Sequence, residues 1–300
     1  MAHILTESLN ETYEGCDPSS PAVTVVCTTY NHECYIEQAL MSFVQQETKF
    51  PFEVIVHDDA STDATPAIIE RYEKAYPWLF RCIYQQENQY SKRIAISSFV
   101  DKIIQGRYVA LCEGDDWWTD TLKLQKQFDW MQAHPGISGC VHAVKKIDAR
   151  TGRSVGAISP CSREKDYSTA EVISRGGGLF GTNSLFFKRE LYVLQEPYLG
   201  WRVGDYPRFL QLADSGGIHY LPEAMSCYRV NVPHSWTTHI SETESDYAEH
   251  IRHIEGKLHE YDAFTNRKYH RRIQAKILRN RLAMKVKKIH SLSTYSMTKS

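Results

Sequence analysis

GRYVALCEGDDWWTD, residues 106–120, is the stretch that decides how the rest of the chain is read. Residues 108–112 form a short apolar run of the kind that makes a buried strand, and the run delivers Glu113, Asp115 and Asp116 together at its carboxyl end. Three acids on four residues repel one another unless a cation or solvent neutralises them. Carboxylate oxygens in such a cluster suit a hard divalent ion such as Mg2+ or Mn2+, and in open α/β sheets this edge is where ligands bind. The other reading is an acidic turn whose Asp residues cap a helix beginning near Thr119. The stretch alone does not decide between them, so the flanking chain must.

Upstream, residues 22–28 are a β-branched run that gives way to the polar loop Thr29-Tyr30-Asn31-His32. Ile36, Leu40, Phe43 and Val44 then mark one face of a helix over 35–46. A glycine-rich dinucleotide loop is absent here, so the turn does not wrap a pyrophosphate closely. A second unit follows: strand 52–56, the loop HDDASTD at 57–63 and a helix over 65–76 with Pro66 in its first turn and Ser61 or Asp63 as cap. Residues 80–84 read as a strand and 94–105 as a helix, which leads into the acid-bearing strand. This alternation predicts a mostly parallel, doubly wound sheet with acidic loops along one edge.

Downstream, the spacing predicts a helix over 119–134, a strand over 137–148, a polar excursion over 149–167, and a capping box at Ser168-Thr169-Ala170-Glu171. GGGLFG, residues 176–181, satisfies GxGxxG. It follows a helix and precedes a strand over 183–188, the reverse of the dinucleotide context, so it reads as a chain turn or a close approach to a substrate. Gly204-Asp205-Tyr206-Pro207 opens the next helix, where an Asp before a first-turn Pro is an ordinary cap. A strand over 218–230 and the loop 231–237, with His234 and Trp236, complete the domain.

TTYNH, HDDASTD and EGDDWW, in this order and together with the Asp205 helix, resemble the inverting glycosyltransferases of family 2 over residues 22–236. The resemblance implies a GT-A fold, that is an α/β Rossmann-like sheet, with residues 1–20 as an arm, 21–240 as the transferase domain and 241–300 as a helical C-terminal extension. It further implies that Thr29 and Tyr30 flank a nucleobase and that Asp58 and Asp59 contact the nucleoside. Asp115, with Glu113 where the family often has its first Asp, would hold Mn2+ or Mg2+. Asp116, Arg229 and His234 would meet the donor, and Asp205 would be the general base. The adjacent Trp117 and Trp118 read either as core, the commoner place for two neighbouring aromatics, or with Trp118 covering the sugar ring. The implied activity is sugar transfer, with inversion, from a nucleotide-diphosphate sugar, most commonly uridine-linked, to a saccharide or lipid-linked acceptor in surface glycan biosynthesis. A non-catalytic sugar-nucleotide or carbohydrate-binding module needs only the first three motifs. A sugar nucleotidyltransferase needs a Gly-rich, Arg-containing first loop, which TTYNH lacks.

Composition sets the outer bounds. With 300 residues, 42% of them hydrophobic, the chain can bury a sizeable core. No apolar run approaches the ~18 residues of a spanning helix, and the N-terminus has no basic start with an apolar block. The expectation is a cytoplasmic protein, peripheral at the inner face of the membrane if its tail binds lipid. The eight Cys include no CxxC pair, which argues against structural zinc. His250 and His253 share a helix face but lack a third ligand, so a solvated helix is the expectation there. The last acid is Asp262, and 11 of the 35 Lys and Arg follow it, which leaves 24 bases against 36 acids before it. That basic tail carries an apolar stripe of Leu278, Leu282, Val286 and Ile289, the pattern of a helix lying in a membrane interface, against a partner or on the chain's own acidic body. No nucleic-acid partner is expected, because Tyr269 and Tyr295 are not interleaved with the bases at stacking spacing.

Overall fold

The computed structural model describes residues 20–233, 235 and 244–297, with side chains through residue 284. The expected arm at 1–20, apart from Ser20, and the loop residues His234 and Trp236 lie outside the described residues. In chain order the elements are β1 (Val23–Thr29), α1 (Ile36–Val44), β2 (Phe52–Asp58), α2 (Thr65–Ala75), β3 (Phe80–Tyr84), the single-turn α3 (Ser97–Val100), β4 (Tyr108–Leu111) and β5 (Trp117–Trp118). They continue with α4 (Lys123–Ala133), β6 (Gly139–Asp148), β7 (Ser154–Ile158), β8 (Lys165–Tyr167), α5 (Thr169–Arg175), β9 (Phe186–Lys188), α6 (Asp205–Ser215), β10 (Ile218–Val230), α7 (Glu244–Phe264) and α8 (His270–Met297).

One ten-stranded sheet runs in the order β3-β2-β1-β4-β9-β6-β10-β5, with β7 on β6 and β8 on β10. The expected parallel alternation holds for β3, β2, β1 and β4, and their loops therefore open on one edge. Beyond β4 the sheet is mixed: β9 lies antiparallel to both β4 and β6, while β6 and β10 are parallel. Helices cover both faces. Ile36, Leu40, Phe43, Ile69 and Leu124 pack on one. Val172, Phe209, Leu212, Ile254, Tyr261 and Ile273 pack on the other.

The helix expected over 94–105 is one α-turn followed by a 3-10 turn, Asp101–Ile103. The Ser98 hydroxyl donates to the Ala95 carbonyl and Gln105 N–H to the Glu53 carboxylate, so local and long-range acceptors compete with helical ones. The helix expected from Thr119 begins at Lys123, because Thr119 N–H continues the sheet by donating to the Met225 carbonyl. Its N-terminus is closed by Gln46, whose Oε1 accepts from Leu124 N–H at 3.1 Å. The polar excursion contributes β7 and β8, and the capping box at Ser168 and Glu171 forms.

The C-terminal extension is not a detached tail. Ile251, Ile254, Leu258 and Tyr261 of α7 and Ile273 and Ile277 of α8 are buried, so the acidic helix is solvated on one face only. Tyr261 and Tyr198 hydroxyls donate to the Asp214 carboxylate at 2.5 and 2.6 Å, and Thr169 Oγ1 does so at 2.8 Å. This ties α7 and α5 to α6. The face that α8 buries is offset from the expected stripe: Leu278 and Leu282 are 59% and 52% exposed.

Lys123 is fully buried, its Nζ 4.0 Å from the centre of the Trp118 ring and without a hydrogen-bond partner. Burial pushes its value from 10.5 down to about 7. The unfolded chain therefore binds the extra proton between about 7 and 10.5, so this site's contribution to stability rises with pH across that window and is worst below it. Lys123→Met, which keeps the stem and removes the charge, is expected to stabilise the protein by ~3–5 kcal/mol at pH 6, with a smaller gain at pH 9. Denaturant titration at the two pH values checks this; no gain at pH 6 would contradict it.

Candidate active site

The loops after β1, β2 and β4 converge on the open edge of the parallel strands. Gly114 N–H donates to the Thr28 carbonyl at 2.9 Å, and a Cβ at Gly114 would lie 2.6 Å from Thr29 Oγ1. Only glycine allows the acid loop to come this close to the end of β1. The first two loops are also cross-linked: Asn31 Oδ1 accepts from Thr62 N–H, Ser61 Oγ from Asn31 N–H, and Asp63 from both Glu33 and Thr65 N–H groups. Of the two cap candidates for α2, Asp63 takes the first-turn bond. Thr29 is buried with its hydroxyl unpartnered, while Tyr30 beside it is 44% exposed.

The acids that look alike in sequence have different duties. Asp58 accepts from Ser61 Oγ at 2.5 Å and Ser61 N–H at 3.1 Å, and burial raises its carboxyl above the usual range. Asp59 accepts from Gln89 N–H and Tyr90 N–H at 2.8 and 3.0 Å, which folds the loop after β3 onto the site. Asp116 is buried, with one oxygen accepting from Asn183 Nδ2 at 2.9 Å and the other from Arg229 N–H at 2.8 Å. Expected on the substrate, it instead holds β10 and the chain before β9 to the acid loop. Trp118 is likewise corrected. It is 3% exposed, packs edge-on against Phe43 and donates Nε1–H to the Asn183 carbonyl, so it belongs to the core and not to a sugar ring.

Glu113 and Asp115 remain open. Glu113 Oε2 is buried without a partner, and burial, then Asp115, then Asp205 push its carboxyl up to about 8. Asp115 is 15% exposed, its nearest cationic candidate being His32 Nε2 at 4.0 Å. Burial outweighs the pull of Asp115 and lowers the His32 value, so this imidazole compensates the carboxylates only weakly. Arg229 is stacked on Trp117 and near Tyr35, but its guanidinium donates to the Asp115 carbonyl and to Gln38, not to a carboxylate. Among the described residues no three His, Cys, Asp or Glu side chains form a closed metal cage. The orphaned Glu113 oxygen and the open Asp115 carboxylate still fit an oxygen-seeking divalent ion that completes its shell with other oxygens.

Asp205 is the first residue of α6. Its Oδ1 accepts from Tyr206 N–H at 2.6 Å, and burial raises its carboxyl to about 6. Its charge reaches Glu113 and adds to the rise of that carboxyl. Thus Asp58, Asp59, Glu113 and Asp115 lie on the loops at the open edge, Arg229 reaches the acid loop through the Asp115 carbonyl, Asp205 stands at the start of α6, and His234 lies outside the described residues. Two residues were missed: His32, inside a quoted motif, and Asn183, which ties Asp116 and Trp118 together and had no local signal.

The glycosyl transferase family 2 model matches residues 24–189. An uncharacterized protein of Mycobacterium tuberculosis is 39% identical over 217 residues, 71% of this chain and 60% of its own length, so the chain spans about 60% of such a relative. The Escherichia coli protein WfaP, named a UDP-Glc:alpha-D-GlcNAc-diphosphoundecaprenol beta-1,3-glucosyltransferase, is 32% identical over 111 residues, 37% of this chain and 41% of its own. S. aureus TarS 1–349 in complex with UDP-GlcNAc has a TM-score of 0.62 at 19% identity, covering 87% of this chain and 72% of that one, a likeness of fold. With its three edge loops, its mixed sheet and more than half its length inside the family's matched region, the chain belongs to glycosyl transferase family 2 and has a GT-A fold.

Proposed function

We propose that the chain transfers a sugar from a uridine-diphosphate sugar to a hydroxyl of a saccharide or lipid-linked acceptor, with inversion, in surface glycan biosynthesis. The observation that carries this reading is the acid loop at the open edge of the parallel strands: Glu113, with an oxygen buried and unpartnered, beside the open Asp115, with Asp205 at the start of α6 near enough for its charge to raise Glu113. The UDP-GlcNAc bound by TarS and the UDP-Glc and diphosphoundecaprenol in the name of WfaP support the donor and acceptor classes.

Thr29 and the exposed Tyr30 flank the nucleobase, and Asp58 and Asp59, each with lone pairs left after their loop bonds, contact the nucleoside. Glu113 and Asp115 would hold Mn2+ or Mg2+, which as a Lewis acid neutralises charge on the leaving diphosphate. Arg229 has N–H groups beyond the two it spends on Asp115 and Gln38 and offers them to the same diphosphate. Asp205 keeps one oxygen free of Tyr206 N–H and takes the acceptor hydroxyl's proton as the hydroxyl oxygen attacks the anomeric carbon and the bond from that carbon to the nucleoside diphosphate breaks. A single displacement inverts that centre. Incubating the full chain with Mn2+ and a panel of uridine-diphosphate sugars tests the reading, with water as default acceptor. Slow, Mn2+-dependent release of UDP is expected. Binding without release would favour a binding module, and pyrophosphate-dependent formation of a nucleoside triphosphate would favour a nucleotidyltransferase.

No described helix is long and apolar enough to cross a membrane. Helix α8 nonetheless exposes Leu278 and Leu282 beside Arg279, which supports peripheral contact with an anionic bilayer, where each nearby base is worth up to ~1 kcal/mol. The full chain is expected to co-sediment with anionic vesicles at low salt, and Leu278→Gln with Leu282→Gln to release it. These changes spare the buried Ile273 and Ile277. Equal sedimentation of both proteins would remove the stripe from the proposal.

A further inference from the structure

A cavity of about 200 Å³ opens beside Asp205, walled by Gly176 and Gly177 on one side and by Ile254 of α7 and Lys276 and Asn280 of α8 on the other. It is smaller than the ~300–1,000 Å³ of a site that encloses a whole small ligand, and so suits one ring or one charged substituent. Its walls depend on missing side chains. A Cβ at Gly177 would lie 3.2 Å from both Asp205 oxygens, and one at Gly176, where φ is +86°, would lie 2.6 Å from Lys276 Nζ. Gly176 and Gly177 of the GGG run thus let the chain pass close to Lys276 and Asp205.

Lys276 is the unexplained group. Its Nζ donates to the Arg175 carbonyl at the end of α5 at 3.0 Å, which uses one of three N–H donors. Among the described residues it has no carboxylate within ion-pair distance, and Arg279 on the same helix adds positive field. The cavity thus presents a carboxylate and an ammonium that do not neutralise each other, and burial already disfavours the ammonium. A ligand that satisfies both would carry a hydroxyl for Asp205 and an anion for Lys276.

We propose that this cavity is the acceptor subsite and that Lys276 reads an anionic substituent, a carboxylate or a phosphate, on the acceptor sugar. The proposal rests on the reading of Asp205 as the base and narrows it: the acceptor is an acidic or phosphorylated saccharide, held by the C-terminal extension and not by the sheet domain alone.

Three probes alike in ring and different in charge test this by saturation-transfer NMR on the full chain: methyl glucoside, methyl glucuronide and methyl glucoside 6-phosphate. At least one anionic probe is expected to bind ~10-fold more tightly than the neutral one, the gain of one charge-assisted hydrogen bond. The stronger of the two identifies the anion. Lys276→Met, which keeps the stem, is expected to erase the preference, and Lys276→Arg to retain it, with thermal unfolding of both near that of the parent. Equal binding of the three probes, no binding of any, or a preference that survives Lys276→Met would overturn the proposal. So would a large loss of stability in Lys276→Met with no preference in a stably folded Lys276→Arg, which would leave the side chain as a cap on α5. Failure of the base reading is seen separately, as near-parental UDP release by Asp205→Asn, an assay that does not involve these probes.

Discussion

Asp205→Asn is expected to lower turnover ~10²- to 10⁴-fold while donor affinity stays within a few-fold. Asn is nearly isosteric and its carbonyl oxygen can still accept from Tyr206 N–H, so the first turn of α6 survives the change. What is lost is the charge. Burial holds the Asp205 carboxyl at about 6, close enough to neutrality for a strong yet mostly ionised base. Below about pH 6 the protonated carboxyl cannot take the acceptor's proton, so the rate is expected to rise with pH through that value and level off above it. The variant should lack this limb. Initial rates of UDP release between pH 5 and 8 give both quantities at once. Near-parental turnover, or an unchanged limb in the variant, would leave Asp205 as a hydrogen-bond acceptor at a helix start and move the base elsewhere.

The parallel half of the fold was legible because its strands carry continuous apolar runs and its helices a clear period. The strand over 80–84 and the strand over 218–230 match to the residue. Tertiary competition hid the rest. Residues 85–96 spend backbone N–H groups on Asp59 and on local turns, and Thr119 is drawn into pairing with β10. Charge also misled. The charges of α7 and α8 left membrane, partner and the chain's own body open as what the tail meets, although Ile251, Ile254, Leu258 and Tyr261 carry a core-facing helical period. In the site, residue type pointed to the right loops without assigning duties. Asp115 and Asp116 differ only in their partners, and the partner that removes Asp116 from the substrate, Asn183, lies 67 residues away.

That distinction drives the second large effect: Asp115→Ala is expected to abolish Mn2+-dependent binding of a uridine diphosphate, by more than the ~10–100-fold that loss of an outer-shell partner usually costs. Its carboxylate holds nothing else in place, its nearest charged neighbour being a largely neutral His32 at 4.0 Å. Removing it also relieves repulsion on Glu113 and Asp116, both of which its charge raises. The fold should therefore be no less stable. Asp116→Ala is the opposing control, since it leaves one Asn183 Nδ2–H, whose other bond to the Cys227 carbonyl stays, and the Arg229 N–H without acceptors, at a cost of ~1–3 kcal/mol for each unsatisfied group. Calorimetric titration of UDP into each protein with and without Mn2+, alongside thermal unfolding, separates the two cases. Asp115→Ala should melt at or above the parent and show no metal-dependent heat, whereas Asp116→Ala should melt well below it. Equal metal-dependent binding in Asp115→Ala and the parent would remove Asp115 from any metal site and leave the acid cluster as a turn.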